Sequence, residues 1–196
     1  MSYQDEWVNG AVVRRGYREC ERRYEVVKSV CAGLRKRDFT VCDIGANLCY
    51  FGIRLAEDFH GAEITAYESH RPAHKRATEL IAENGATRIE LHNKRLRLPD
   101  IDGLIRFHAF DVVLAMSVLH HVAGNPADWL RRLEYLGGVV IVEAAGKDSH
   151  RKAAQGFAMP SRAVKLGEAP SHLNPDVPRS IYMLNGGRSN QWRNAR

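Results

Sequence analysis

No apolar run in this chain approaches the ~18–20 residues of a membrane-spanning helix, so no membrane partner is expected. Cysteine is scarce. Cys20, Cys31, Cys42 and Cys49 lack any paired metal-ligand spacing, so no metal is expected. The reading they support is reduced, buried thiols in a cytoplasmic protein. The segment MSYQDEWVNG is polar and acidic and shows no signal-peptide pattern. There are no internal repeats and no low-complexity tract. The glycine fingerprint of a dinucleotide fold is also missing. Counted from Gly45, the second and third positions of G-x-G-x-x-G are Asn47 and Tyr50, which argues against a pyrophosphate site.

What is present is ordinary for a globular chain: 196 residues, 44% hydrophobic and 27% charged. That length predicts one domain over residues 1–185, with residues 1–16 as an N-terminal lid segment. Residues 186–196, GGRSNQWRNAR, have little to bury besides Trp192 and read as a mobile basic tail. Net charge is +6, but the basic residues are scattered in short groups, as on solvated helix faces. A nucleic-acid partner stays open on charge alone.

Hydrophobic periodicity alternates strand and helix. A helix is expected over Tyr17–Arg37, with basic residues in its last turn, then a strand at Thr40–Ile44 and a helix at Tyr50–Phe59. Further strands are Glu63–Glu68, Arg88–His92, Phe110–Met116 and Val139–Glu143. Helices cover Ala73–Asn84, Asp100–Arg106 and the segment capped by Asn125, and Lys147–Ala158 has an amphipathic helical pattern. Ala163–Glu168 and Ser180–Leu184 read as strands joined by a loop, hence an antiparallel pair. The alternation demands a parallel sheet with right-handed crossovers.

The stretch TVCDIGANLCYFGIRLAE, Thr40–Glu57, is a buried strand, a tight turn and a helix start. In open α/β sheets the crevice at the carboxyl ends of the strands binds ligands. Twenty-three residues past Gly45, Glu68 ends the next strand, where a carboxylate accepts from ribose hydroxyls. Strand and spacing thus point to a nucleoside ligand.

Asp43, Gly45, Asn47 and Cys49, then Glu68, then FDVVLAMSVLHH at Phe110–His121, closely resemble the class I S-adenosylmethionine-dependent methyltransferases, over roughly Tyr24–Glu143. The resemblance implies an α/β, Rossmann-like, seven-stranded, mostly parallel sheet. Helices cover both faces and the sheet ends in an antiparallel hairpin. It implies S-adenosyl-L-methionine as cofactor, with Asp43 near the methionine ammonium, Gly45 at close backbone approach, and Ser69 flanking the adenine. Asn47 either bonds the amino-acid moiety or pins the turn. Ala115, Met116 and Ser117 form the pocket wall. The family usually has an acid on the adenine side; this register holds Asn93, Lys94 and Arg95, and Asn93 is the candidate. Cys49 stands where the family usually has glycine, which bears on cofactor affinity because a Cβ disfavours positive φ.

Methyl transfer needs positioning more than acid–base chemistry. His120 or His121 is a candidate general base, or the pair is structural; as sequence neighbours their side chains are expected to diverge. Glu143, His172 and Arg179 are candidate substrate contacts. The reading is a methyltransferase acting on a hydroxyl or amine of a small molecule, such as a sugar or secondary metabolite. Two alternatives remain: an RNA or DNA methyltransferase, and a non-catalytic partner that keeps the fold. The Asn/Asp-Pro-Pro-Tyr motif associated with base methylation does not follow the fourth strand.

Overall fold

A computed structural model describes residues 2–144, 159–171, 173–174 and 176–186. The helix expected over Lys147–Ala158, the tail past Gly186, and His172 lie outside the described residues.

The described elements run β1 (Glu6–Val8), β2 (Ala11–Arg14), α1 (Glu21–Ala32), β3 (Asp38–Ile44), α2 (Tyr50–Asp58), β4 (Gly61–Tyr67) and α3 (Arg71–Glu83). They continue with β5 (Ile89–His92), α4 (Leu98–Phe107), β6 (Phe110–Met116), α5 (Pro126–Leu136), β7 (Gly137–Glu143), β8 (Val164–Ala169) and β9 (Arg179–Asn185). β3 to β9 form one seven-stranded sheet in the order β5-β4-β3-β6-β7-β9-β8. β3 runs parallel to β4 and to β6, while β9 is antiparallel to both β7 and β8. The chain therefore reverses its direction of strand addition between β3 and β6, and the crevice there is where such sheets bind ligands.

Both faces of the sheet are covered because the central strands are apolar on both sides. Val41, Val112, Leu114 and Ile141 pack against α1, α2 and α3. Their alternates Cys42, Val113, Val140 and Val142 pack against α4 and α5. Among the described residues no helix is long and apolar enough to cross a membrane.

Two departures from the sequence reading lie before β3. The first helix is shorter than expected. Tyr17 and Arg18 spend their backbone N–H groups on Ser2 and Tyr3 carbonyls at 3.2 and 3.0 Å instead of on a helical turn. Past Gly33 the chain leaves the helix, with Arg35 at φ 54°, so the basic residues 35–37 follow the last turn rather than occupying it. The second departure is the hairpin β1–β2, turned by Asn9 and Gly10 at φ 47° and 82°. Asn-Gly between apolar flanks is the strongest short hairpin signal a sequence offers.

That hairpin is fastened to the domain. Trp7 Nε1 donates to Glu57 at 2.7 Å, and the Arg54 guanidinium lies 3.9 Å from the Trp7 ring centroid. Arg76 of α3 donates to Glu6 at 2.8 Å. Buried Gln4, just before β1, accepts from the N–H groups of Leu48 and Tyr50 at 3.1 and 3.4 Å and so caps the start of α2.

Candidate active site

The turn after β3 is held open by its neighbour strand. Gly45 and Ala46 N–H both donate to the Tyr67 carbonyl, at 2.9 and 3.0 Å. Gly45 has φ 76°, and a Cβ there would meet Val118 Cγ2 at 2.9 Å, so glycine is required on two counts. Asn47 and Cys49 also adopt positive φ, at 52° and 59°. Cys49 thus takes the backbone geometry that suits glycine, at the cost of a left-handed conformation for a residue with a Cβ. Its fully buried thiol faces α2, where a Cβ on Gly52 would meet Sγ at 2.8 Å. The space one glycine gives up at 49 is released by another at 52. Burial pushes the Cys49 thiol far above the ordinary range.

Glu68 leaves β4 and folds back on the turn. One carboxylate oxygen accepts from Asn47 N–H at 2.8 Å and the other from His70 N–H at 2.6 Å. It therefore organises the turn while lining the cavity beside it. Asp43 lies deeper and is 1% exposed. Burial, reinforced by the Glu68 charge and opposed by Arg18, raises its carboxyl to about 7. Asp43 Oδ2 and Asn47 Oδ1 are buried acceptors with no donor among the described residues. Two orphaned acceptors four positions apart, on either side of the Gly45 turn, suit a donor-rich, cationic group.

The cavity over this turn has a volume of about 950 Å³. The N-terminal segment forms one wall with Tyr3 and Tyr17, whose rings meet edge to face at 5.2 Å. Gly45, Asn47, Glu68 and Ser69 form the floor, and Met116, Ser117, His120, His121 and Arg179 the far wall. An adjoining cavity of about 680 Å³ shares Gly45, Ser69, Arg95, Val118 and His121 and is walled by Tyr67, Leu96 and Trp129.

The structure thus brings Gly45, Asn47, Glu68, Ser69, Met116, Ser117, His120, His121 and Arg179 to one cavity. Four candidates lie elsewhere. Ala115 is fully buried in the α4–α5 core. Asn93 lines neither cavity and donates its amide to the Glu68 carbonyl at 3.0 Å. Asp43 sits beneath the turn. Glu143 does not face the cavity: it is fully enclosed, because Arg18 and Arg23 clamp its carboxylate, Arg23 at 2.9 Å. These guanidiniums hold Glu143 at about 2, against the desolvation that would raise it. The two histidines do not diverge. The chain turns sharply after β6, with Ser117 at φ 60°, and their rings lie 4.0 Å apart, tilted at 43°.

Gln4, Arg18 and Arg23 escaped the sequence reading. The partners that fix their place, Leu48 and Tyr50 for Gln4 and Glu143 for both arginines, lie 44 or more positions away, and no local pattern reports them. Tyr3 and Tyr17 were legible only through the Asn9-Gly10 hairpin that folds their segment over the turn.

A family model for a methyltransferase domain matches residues 42–136, which span the turn, Glu68 and the β6 loop. Over that segment the chain is similar to methyltransferases. The sheet order agrees with solved structures of that fold. The bifunctional kinase-methyltransferase WbdD superposes with a TM-score of 0.71 at 24% identity, over 87% of this chain and 42% of that one. EvdMO1 superposes at 0.66 and 18% identity, over 97% and 45%. Magnesium protoporphyrin IX methyltransferase from Synechocystis PCC 6803, solved with bound S-adenosylmethionine, superposes at 0.58 and 18% identity, over 83% and 77%. This chain therefore spans about two fifths of the length of WbdD. No curated protein sequence matches it.

Proposed function

We propose that this chain moves a methyl group from S-adenosyl-L-methionine to a hydroxyl or amine of a small molecule, a sugar or secondary metabolite. One observation carries the reading: the orphaned acceptors Asp43 Oδ2 and Asn47 Oδ1 lie beside a glycine turn that Glu68 pins and overlooks. An ammonium suits the two acceptors, and the free lone pairs of Glu68 suit ribose hydroxyls. Gly45 leaves room for close approach, and Ser69 and Met116 stand on either side. The cofactor, when bound, supplies an electrophilic methyl with a neutral leaving group.

The chain's own work is then to orient and to exclude water. Tyr3 and Tyr17 roof the cavity as a lid, and Ser117 holds the β6 loop against the sheet. His120 and His121 line the cavity, and one of them takes the proton from a hydroxyl acceptor. A cavity of about 950 Å³ that must also hold the cofactor favours a small acceptor. The N-terminal domain of EvdMO1, solved with S-adenosylhomocysteine and D-fucose, has this fold at 18% identity and a TM-score of 0.63. The nucleic-acid reading draws no comparable support. Basic side chains on several faces pair with carboxylates, as in Lys36–Asp111, Lys94–Asp100 and Arg132–Asp102.

The test is transfer of labelled methyl from S-adenosylmethionine to a panel of sugars, small alcohols and amines, with RNA and DNA alongside. Label on a small acceptor, lost by about 100-fold in one of His120→Ala and His121→Ala, is the expected result. Label on nucleic acid alone would overturn the substrate class.

A further inference from the structure

Six consecutive backbone N–H groups, from Gly45 to Tyr50, run through the turn after β3, and each has an acceptor. The Tyr67 carbonyl takes those of Gly45 and Ala46, Glu68 takes that of Asn47, and the Ala46 carbonyl takes that of Cys49. The neighbouring strand and the turn itself thus hold four of the six. The other two, Leu48 and Tyr50, both donate to the Gln4 side-chain oxygen, at 3.1 and 3.4 Å. Cys49, the N-cap of α2, offers no side-chain bond of its own. The turn needs such bonds. Asn47 and Cys49 hold left-handed backbone at φ 52° and 59°, which persists only where the surroundings over-determine it.

Gln4 is 2% exposed and lies behind the cavity, but the residues around it line the cavity. The Tyr3 carbonyl accepts from Arg18 N–H at 3.0 Å, and the Asp5 carboxylate accepts from Gly16 N–H at 2.8 Å. Gly16 is pressed against this strip: a Cβ there would meet the Gln4 carbonyl carbon and oxygen at 2.4 Å. Tyr3, Glu6, Arg14 and Tyr17 of the same segment all line the cavity. One buried amide oxygen therefore joins the Gly45–Tyr50 turn to the N-terminal wall.

We infer that Gln4 is a positioning residue that couples the cofactor turn to this wall. The inference rests on the reading of that turn as the S-adenosylmethionine site. Ordering either side lowers the cost of ordering the other, because both share the Gln4 oxygen. Cofactor on the turn then tightens the wall that meets the acceptor, and by linkage an ordered wall tightens the cofactor.

The experiment titrates S-adenosylhomocysteine by calorimetry and follows amide exchange with and without it, in wild type, Gln4→Met, Gln4→Glu and Gly16→Ala. Methionine keeps the length of glutamine without its amide oxygen, and glutamate keeps an acceptor. In wild type S-adenosylhomocysteine is expected to slow exchange at Gly16, Tyr17 and Arg18, whose N–H bonds lie within the N-terminal segment. Gln4→Met should bind it about 5-fold or more weakly and lose that slowing, while Gly45 and Ala46 keep theirs. Gln4→Glu should restore both. Gly16→Ala, outside the cavity lining, should weaken binding in wild type and add nothing in Gln4→Met. A residue serving stability alone would lower Tm in Gln4→Met and leave affinity and slowing as in wild type. That result overturns the inference, as does a wild type whose Gly16–Arg18 exchange is indifferent to S-adenosylhomocysteine. Should Gln4→Met not fold, wild-type exchange and the Gly16→Ala titration decide. Absence of S-adenosylhomocysteine binding in wild type would instead sink the cofactor reading. The unliganded proteins then decide this one: in Gln4→Met exchange should quicken at Leu48 and Tyr50 and at Tyr17 and Arg18 together, and quickening at Leu48 and Tyr50 alone would overturn it.

Discussion

Asp43 is the residue whose chemistry most separates the free protein from a liganded one. Its carboxyl, raised to about 7 by burial and by Glu68, is largely protonated at pH 6. Its unfolded-state value is near 3.9. The folded state therefore binds the extra proton, and the stability it contributes is present at low pH and lost as pH rises from about 4 through about 7. Asp43→Asn, which cannot ionise, should raise Tm relative to wild type at pH 8 and shift it much less at pH 4.5; melts across that range give the comparison. An ammonium placed beside the carboxylate favours its ionised form. Calorimetry of S-adenosylhomocysteine binding in buffers of different ionisation enthalpy should show proton release at pH 6 that fades by pH 8.

Cys49 and Gly52 form the other residue-scale device. A Cβ at 52 would lie 2.8 Å from Cys49 Sγ, so Gly52→Ala should destabilise by about 1–3 kcal/mol through overpacking. Cys49→Gly removes the clash and the left-handed strain together. In that background Gly52→Ala should be neutral or stabilising, since alanine exceeds glycine in a helix by about 1 kcal/mol. A double-mutant cycle by denaturant unfolding measures the coupling. Additive effects would show that the thiol and the glycine do not share this space.

Among the elements, the most legible were those with local chemistry. Phe110–Met116 reads as a strand because six of its seven positions, all but Asp111, are apolar and buried. The start of α5 is legible because the Asn125 side chain accepts from Ala127 N–H at 3.0 Å. The two β8–β9 strands were legible as a pair because no helix separates them. What escaped depends on distant partners. Tyr17 and Arg18 carry a helical pattern, yet pair with Ser2 and Tyr3. Glu143 was placed at the right strand end, but its orientation follows from arginines 120 and 125 positions upstream.

That clamp joins the N-terminal segment to β7 and the loop after β8, and it sets an element-scale prediction. Glu143→Gln takes the charge partner from buried Arg18 and leaves Arg23 only the half-exposed Glu19, 3.6 Å away, and should cost about 3–5 kcal/mol at pH 7. Glu143 is held at about 2, so its contribution is present above the unfolded value near 4.3 and lost as pH falls towards 2. The gap between variant and wild type should therefore shrink through that window. Amide exchange at Gly16, Tyr17 and Arg18, whose N–H groups bond Asp5, Ser2 and Tyr3, should accelerate in the variant. Unchanged protection there would mean that the hairpin contacts alone hold the segment.

For the whole molecule, a mostly parallel sheet with an antiparallel ending was legible, because strand–helix alternation, a right-handed crossover rule and two strands with no helix between them leave few topologies. The site followed, since reversal between β3 and β6 puts the Gly45 turn, Glu68 and the β6 loop at one edge. The N-terminal segment, expected over residues 1–16 as a lid, stands outside that sheet and contributes Ser2, Tyr3, Glu6 and Arg14 to the cavity lining. The cavity that it helps to line has a volume of about 950 Å³. The claim on which the rest depends is that this cavity holds S-adenosylmethionine or its product, with Glu68 as an anchor. Calorimetric titration of wild type and Glu68→Ala with S-adenosylhomocysteine, and with NAD as a control, tests it. One site per chain is expected, weakened about 10-fold or more by loss of a charged acceptor worth ~1.5–3 kcal/mol, with no heat from NAD. No binding of S-adenosylhomocysteine, binding of NAD in its place, or equal affinity in a folded Glu68→Ala would contradict the account.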